Sequence, residues 1–144
     1  MLILRGRLLT YNLKRVVSVE ELALNQQVIK KYLDKVLLKA TEVTEQSVME
    51  SIFKGDSQLW LARNTEDKVV GIVVTYQVTY PTTKRLLIHL LGGTEIKEWV
   101  QTISSIEEWA ESKGLNGIEI RGRKGWLKLL PDYSCKTVLM IKEL

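Results

Sequence analysis

Apolar residues recur at helical spacing in the first third of the chain. Across residues 19–40 they fall three or four positions apart, and Ser18 and Glu21 are placed as a capping box. This range therefore predicts one long amphipathic helix. A second, shorter helix is predicted from its cap at Thr44 to Gly55, a residue suited to the left-handed position that follows a helix.

The pattern then changes to the alternation that is typical of β-strands. Residues 57–63, 68–80 and 84–91 predict three antiparallel strands, with a polar turn at residues 64–67 between the first two. A weaker alternation in residues 7–17 predicts a strand before the first helix. The middle of the chain is thus expected to form a three-stranded meander.

Helical spacing returns in the second half of the chain. A helix is predicted over residues 96–114, with Trp99 and Ile103 on its buried face and Lys97 and Glu98 exposed. A helix of this length allows a parallel crossover to the strand predicted at residues 115–121.

A short helical turn at residues 125–130 and a closing strand at residues 137–141 complete the order β-α-α-β-β-β-α-β-α-β. This order predicts an α/β (α+β) fold with a mixed central sheet, antiparallel through Ile88 and parallel between the strands of His89 and Ile118. A single domain is expected over residues 1–144, with residues 1–17 as a basic N-terminal strand region.

The composition supports one intracellular domain. A chain of 144 residues with 45% hydrophobic and 26% charged residues has the size and balance of one soluble core. The single cysteine, Cys135, cannot form an internal disulfide, which favours a reducing compartment. Since no apolar run is long enough for a secretion signal or a membrane helix, we expect no membrane association.

The positive charge lies toward the two ends of the chain. The net charge of +4 divides into +5 for residues 1–40, −3 for residues 41–80 and +2 for the rest. Arg121, Arg123, Lys124 and Lys128 fall within eight residues, either as a solvated surface or as a site for an anion. So small a net charge, with no base-reading motif, argues against nucleic acid as the partner.

Trp126 differs from the other three tryptophans of the chain. Trp60, Trp99 and Trp109 fit the buried faces of their predicted elements. Trp126 follows Arg123-Lys124-Gly125 between a strand and a short helix, where its ring can either pack internally or anchor a partner.

The order of elements and several motifs resemble the GNAT superfamily of acyl-CoA-dependent N-acyltransferases over nearly the whole chain. The stretch from Ile118 to the final Lys142-Glu143-Leu144 is similar to the family's fifth strand, fourth helix and last strand. Four motifs resemble, more narrowly, the small GNAT-like proteins of tailed phages. They are Gln58-Leu59-Trp60-Leu61-Ala62, Leu91-Gly92-Gly93, Ile106-Glu107-Glu108-Trp109-Ala110 and Gly122-Arg123-Lys124-Gly125-Trp126.

The resemblance implies an acyl-CoA site within residues 84–142, with the CoA pyrophosphate held at Leu91, Gly92, Gly93 and Thr94. In the family the loop reads Arg/Gln-x-x-Gly-x-Gly/Ala, and its amides and the helix that follows hold the phosphates. This chain lacks the arginine. It also has Glu95 and Glu98 in the first helical turn, where carboxylates suit the helix dipole but repel an anion. Tight-turn glycines are the other explanation of this loop.

Glu119 and His89 are the candidate catalytic residues. The resemblance implies a carboxylate base near the fourth or fifth strand, and Glu119 is either this base or a salt-bridged surface group. His89, the one histidine, is either a base that deprotonates an ammonium group or a histidine of the core. The family's acid, a tyrosine on the short helix, is replaced by Leu129 or Leu130.

We therefore expect a phage GNAT-like protein with a degenerate acyl-CoA site, which needs no cofactor. It would act through contacts with other phage or host proteins, in virion structure, assembly or host takeover, at Arg121, Arg123, Lys124 and Trp126. We expect it in the host cytoplasm or associated with the virion, with a homo-oligomer as a further possibility. The alternative is an active N-acetyltransferase that uses acetyl-CoA to modify a small amine or a protein amine.

Overall fold

A computed structural model of the chain describes residues 2–4, 7–39, 42–122 and 124–144. For residues 2–4 and 7–9 it describes the strands without their side chains.

A five-stranded mixed sheet lies at the centre of the molecule. Its strands, in spatial as in chain order, are β3 (Asn12–Arg15), β4 (Ser57–Arg63), β5 (Val69–Thr79), β6 (Lys84–Gly93) and β7 (Gly117–Ile120). The pairs from β3 to β6 are antiparallel, whereas β6 and β7 are parallel. The predicted mixed sheet is confirmed.

The helices fall into two groups along the chain. Before β4 come α1 (Val19–Leu24), α2 (Gln26–Leu37) and α3 (Glu45–Phe53). The connection from β6 to β7 consists of α4 (Ile96–Trp99), a 3-10 helix (Val100–Ile103) and α5 (Ser104–Ser112), and α6 (Trp126–Leu129) follows β7. Thr44 caps α3, as the sequence predicts, and the structure shows that it does so through a reciprocal capping box with Ser47.

The two groups of helices cover opposite faces of the sheet. On one face Leu33 of α2 packs with Ile72 and Val74 of β5. On the other, Trp99 and Ile103 pack with a second buried cluster. Both of these side chains are buried while Lys97 and Glu98 are exposed, which confirms the predicted face of the crossover.

The prediction of one helix over residues 19–40 is wrong, because the helix is interrupted at Asn25. This residue ends α1 and begins α2, and its side-chain amide donates to the carbonyl oxygen of Glu21 at 2.9 Å. An asparagine side chain that hydrogen-bonds to a nearby backbone carbonyl competes with the backbone hydrogen bonds of the helix. This local preference ends α1 although the helical spacing of apolar residues continues. Residues 40 and 41 lie outside the described part of the chain.

The prediction of one strand over residues 7–17 is also wrong. The structure has β2 (Arg7–Leu9) paired back onto β1 (Leu2–Leu4), and only Asn12–Arg15 joins the central sheet. Alternation of apolar and polar residues indicates which residues are extended but not which strand they pair with. It therefore could not show that β2 and β3 are separate strands.

The crossover is less regular than the predicted single helix over residues 96–114. It changes to a 3-10 helix at Val100–Ile103, where the Thr102 hydroxyl donates to the carbonyl oxygen of Trp99. Trp99, Val100 and Ile103 are all buried beside this segment, so the local winding follows their packing.

The closing strand predicted at residues 137–141 is absent from the structure, which describes this segment as irregular. Its apolar side chains are mostly in solvent, with Val138 64% and Met140 87% exposed. A strand is defined by its pairing with a neighbour, and this segment pairs with no strand of the described chain.

Replacing Ile103 by alanine should lower the free energy of unfolding by about 2 to 4 kcal/mol, because a fully buried side chain leaves a cavity. Denaturant titration measures this change. As a control, Lys97→Ala on the exposed face should change stability by less than about 0.5 kcal/mol. A loss below about 1 kcal/mol for Ile103→Ala would mean that the side chain contributes little to the core.

Candidate functional site

The pairing of β6 changes at His89. Val74 of β5 lies opposite Leu90 but Thr75 lies opposite Ile88, so His89 is the extra residue of a β-bulge. The parallel pairing with β7 stops at the same place, where Ile88 lies opposite Ile120. In the described part of the chain, residues 89–93 pair with β5 alone. The edge of β6 that faces away from β5 is therefore open beyond the bulge.

Glu119 is fixed by three side chains. Its Oε1 accepts hydrogen bonds from the Tyr80 hydroxyl at 2.8 Å and from Arg85 Nη1 at 3.4 Å, and its Oε2 accepts one from Arg121 Nε at 3.2 Å. Arg85 also lies over the Tyr80 ring, 5.4 Å from its centroid. Ile118 and Ile120 pack against the core beneath the crossover, the buried cluster that contains Trp99 and Ile103. Because side chains alternate along a strand, Glu119 points to the opposite face.

These contacts make Glu119 a poor proton acceptor. Burial alone would raise the pKa of its carboxyl, but the hydrogen bonds from Tyr80 and Arg121 outweigh it, and the pKa lies below its usual value. A carboxylate that accepts hydrogen bonds from two guanidinium groups would lose charge-assisted bonds if it took a proton, so protonation is unfavourable. The arrangement suits a group that joins β7 to β6 and to the end of β5.

His89 is half-buried beside Tyr76, with the two rings edge to face and their centroids 5.2 Å apart. Burial lowers the pKa of this imidazole, and the positive charge of Arg121 lowers it further. The ring is therefore neutral at neutral pH and can accept a proton. No hydrogen bond joins His89 to Glu119 among the described residues, so the two predicted catalytic groups do not act as a bonded pair.

Two glycines at the end of β6 allow very close packing. A Cβ on Gly92 would lie 2.2 Å from Cγ2 of Val36 in α2, and one on Gly93 would lie 2.3 Å from the carbonyl oxygen of Val70. Gly93 also has a φ of +148°, which residues with a side chain rarely adopt. Leu91, just before them, packs half-buried against the core beneath the crossover. Packing thus accounts for both glycines.

Thr94 and Glu95, which follow Gly93, make hydrogen bonds within the protein. The Thr94 amide donates to the carbonyl oxygen of Val70 at 2.8 Å, and the Thr94 carbonyl oxygen accepts from the Trp99 indole N–H at 2.8 Å. Glu95 is left-handed, with a φ of 56°, and its Oε1 accepts from the Tyr11 hydroxyl at 2.7 Å. This bond, together with burial, raises the pKa of Tyr11 to about 12.

Several solved structures have the same arrangement of strands and helices. A GNAT family acetyltransferase from Staphylococcus aureus is 14% identical, with a TM-score of 0.64 over 94% of this chain and 99% of its own. Glucosamine-6-phosphate N-acetyltransferase from Arabidopsis thaliana is 11% identical, with a TM-score of 0.65 over 93% of this chain and 98% of its own. This chain has the GNAT acetyltransferase fold.

A third acetyltransferase structure is also similar to this chain. An aminoglycoside acetyltransferase from an uncultured soil metagenomic sample is 15% identical, with a TM-score of 0.65 over 93% of this chain and 96% of its own. No protein-family model matches the chain, and no curated protein matches its sequence. The likeness is therefore one of fold, and the chemistry has to be argued from the site.

The short helix that follows β7 carries no tyrosine within Trp126–Leu129. The carbonyl oxygen of Leu129 accepts a hydrogen bond from Gln101 Nε2 at 3.0 Å, which ties α6 to the 3-10 helix. Tyr133, the nearest tyrosine after α6, donates to Glu107 Oε2 at 2.6 Å. Burial and this hydrogen bond raise the pKa of Tyr133 well above its usual value, so it holds its proton.

Exposed basic residues lie close to Trp126 in the sequence. Its half-buried ring lies on Gly122, where a Cβ would approach Cδ1 to 2.8 Å, and it packs against the core beneath the crossover. Arg121, Lys124 and Lys128 are exposed, and Arg123 lies outside the described residues. One side of the ring is thus used for internal packing, while the chain around it presents positive charge to solvent.

Sequence reasoning missed the residues that surround Glu119. Tyr80 follows β5 and Arg85 lies in β6, 39 and 34 positions from Glu119, and the pairing of β6 with β7 brings them close to it. The missed partner of Glu95, Tyr11, is 84 positions away in the chain. Local patterns contain no signal for contacts of this kind.

An open groove of about 840 Å³ lies away from His89 and Glu119, between α2, the turn after β4 and Glu95. Among the described residues, no three potential ligands lie close enough together to hold a metal ion. No helix in that part of the chain is long and apolar enough to cross a membrane.

Glu119→Gln should lower the free energy of unfolding by about 1 kcal/mol at neutral pH, because it removes charged hydrogen bonds that are partly exposed. The lowered pKa of the wild-type carboxyl means that its stabilising effect is present above pH 4.5 and is lost as the pH falls through the folded-state value. Denaturant titrations across this range test the prediction.

The exposed Glu108 provides the control, since Glu108→Gln should leave the stability unchanged at each pH. The difference in free energy of unfolding between wild type and Glu119→Gln should shrink at strongly acidic pH. A difference as large there as at neutral pH would contradict an electrostatic role for Glu119.

Proposed function

We propose that this GNAT-fold protein has a degenerate acyl-CoA site and acts through contacts with other proteins. The observation that carries the proposal is the corner at the end of β6, residues 92–95, where the Thr94 amide and the Glu95 carboxylate are bonded within the protein. The Thr94 amide is directed to Val70 and the Glu95 carboxylate to Tyr11. The cofactor expected of the fold, acetyl-CoA, would place its pyrophosphate at this corner.

The residues of the corner fit a pyrophosphate poorly. Such a group is held by free backbone amides and by the positive end of a helix. Here the Thr94 amide already has a partner, the helix that follows has one turn, and Glu95 and Glu98 bring two carboxylates to its start. Because like charges repel, we derive no catalytic step through acetyl-CoA, and the proposed function requires no cofactor.

The neighbourhood of β7 supports the same conclusion. A base that serves acyl transfer needs a proton affinity matched to the working pH, whereas Glu119 is held ionised by Arg85 and Arg121. The short helix has a leucine where the family has its tyrosine acid, and the carbonyl oxygen of Leu129 is bonded to Gln101.

The surface around Trp126 is the proposed contact. A large aromatic ring fixed on one side, in a stretch of chain with exposed cations, is typical of an interface anchor, and it would favour a partner with an acidic surface. Arg121 and Lys124 are the described cations on either side of Gly122, and Arg123 is included from the sequence.

Motif resemblance supports a role in a tailed phage. The runs around Trp60, Gly92, Trp109 and Trp126 are those that resemble small phage proteins of this fold. We propose that the chain contributes to virion structure or assembly, or to host takeover, by binding other phage or host proteins in the host cytoplasm or in the virion.

Acyl transfer is the second candidate function, and the bulge of β6 is the observation that favours it. His89 is neutral and lies where β6 leaves β7, so its imidazole could take a proton from an ammonium group. The proteins of similar fold are described as acetyltransferases, one of them of aminoglycosides. In this case the substrate would be a small amine or a protein amine.

Lys124→Glu and Trp126→Ala should each weaken partner binding by about 2 kcal/mol, which is roughly thirtyfold in Kd. The partner would be isolated from phage-infected host cells with the wild-type chain and its affinity for each variant measured by calorimetry. Phe53→Ala, which changes an apolar residue 63% exposed on α3, is the matched control and should bind as the wild type does.

The opposite result would identify an enzyme. An acetyl-CoA-dependent activity that falls by about 100- to 10,000-fold in His89→Gln, but is unchanged in Lys124→Glu, would overturn the proposed function.

A further inference from the structure

The central sheet has a free edge at β3, on the side away from β4. β3 pairs with β4 alone, and no described strand joins its other side. The Val16 N–H donates to the Leu59 carbonyl oxygen at 2.8 Å, so Lys14, two residues earlier, also directs its backbone groups to β4. The N–H and C=O groups of Leu13 and Arg15 therefore face away from the sheet, where no described residue bonds to them.

Positive charge borders this edge on both faces of the sheet. Leu13 belongs to the core beneath the crossover, so the alternation along a strand places Arg15 on that face and Lys14 on the other. The Arg15 guanidinium lies over the Trp109 ring of α5, 5.2 Å from its centroid, and the Lys113 ammonium lies 5.8 Å from the same centroid. No described carboxylate lies within ion-pair distance of these three cations.

The Arg15 side chain is held in place without a hydrogen bond. Its Nε is buried and has no partner in the described chain, and the contact with Trp109 fixes the guanidinium group. The Trp109 ring is itself packed edge to face against Trp60, with centroids 5.8 Å apart. An ordered guanidinium that lacks an acceptor is suited to binding a carboxylate with little loss of side-chain entropy.

We propose that the edge of β3 binds an extended acidic segment of another protein, which adds to the sheet as an antiparallel strand. Directly opposed residues of neighbouring strands point to the same face. A glutamate opposite Arg15 therefore reaches the cations beside Trp109, while the outward backbone groups of Leu13 and Arg15 pair with the added strand. Because β3 and β7 are opposite edges of the sheet, this surface is separate from the contact proposed around Trp126 and does not depend on it.

A second copy of the chain fits this edge less well. Two copies of β3 in an antiparallel pair would bring Lys14 and Arg15 of both copies into one short ladder, where like charges repel. Basic residues at an edge are one means by which proteins avoid pairing with themselves. The same charges attract an acidic strand, so the edge discriminates between its own copy and an acidic partner.

Fluorescence anisotropy with a labelled peptide tests the proposal. The probe alternates glutamate with threonine, and with the full chain its Kd is expected on the order of 10 to 100 μM, since a short ladder with a few ion pairs is a modest contact. An absence of saturable binding up to about 1 mM overturns the proposal.

Two charge reversals locate the binding site of this peptide. Lys113→Glu changes an exposed side chain and should weaken binding by about tenfold or more. Lys54→Glu makes the same change of charge at an exposed residue that ends α3, so it is the matched control and should bind as the wild type does. Equal loss in the two variants would indicate unspecific attraction by net charge and overturn the proposed site.

Two N-methylated peptides test whether the segment binds as a strand. In an antiparallel ladder the residue opposite Arg15 directs its own N–H to β3, and its neighbours direct theirs away. N-methylation of the glutamates should therefore abolish binding, whereas N-methylation of the threonines should leave the Kd within about twofold. Equal affinity of the two peptides, or the reverse order, overturns the strand addition.

Nucleic acid is the other polyanion that a basic edge could attract. Single-stranded oligothymidylate of the same charge should bind at least about tenfold more weakly than the glutamate peptide, because it has no backbone N–H groups to pair with β3. Binding of the oligonucleotide as tight as that of the peptide, or tighter, would overturn the proposal.

Discussion

Close packing of bare backbone where β5, β6 and α2 meet is the constraint on which the rest of the molecule depends. A Cβ on Gly71 would lie 2.5 Å from the Trp99 ring, and one on Gly92 would lie 2.2 Å from Val36. Without side chains at these positions, α2 approaches one face of β6 while Trp99 is fully buried on the other. The crossover, which contains Trp99, then returns the chain to β7, parallel to β6.

The same packing limits the chemistry at the end of β6. Gly93 is held against Val70, so the next amide, that of Thr94, reaches the Val70 carbonyl oxygen and is not available to a ligand. Glu95 is turned toward Tyr11, and its carboxylate occupies the start of the crossover. On the proposed function, a fold shared with acetyltransferases has a corner that excludes an anion, and fold alone does not establish activity.

Periodicity predicted the elements that are set by local spacing, and contacts between distant residues determined what it missed. The face of the crossover at Trp99 and Ile103, and the parallel strand after it, followed from the sequence because a helix of known length fixes both. The break at Asn25 depended on a side-chain bond to the backbone. Two partners of Glu119, Tyr80 and Arg85, lie 39 and 34 positions away in the chain, and they come close to it only when β6 pairs with β7.

Titration calorimetry of acetyl-CoA into the full chain tests the central claim most directly. If the corner at Thr94 and Glu95 excludes the pyrophosphate, no saturable heat should appear up to about 1 mM ligand, the upper end of ordinary substrate affinities. Saturable one-to-one binding with a Kd in the micromolar range would show that the chain holds the cofactor, and would contradict the account.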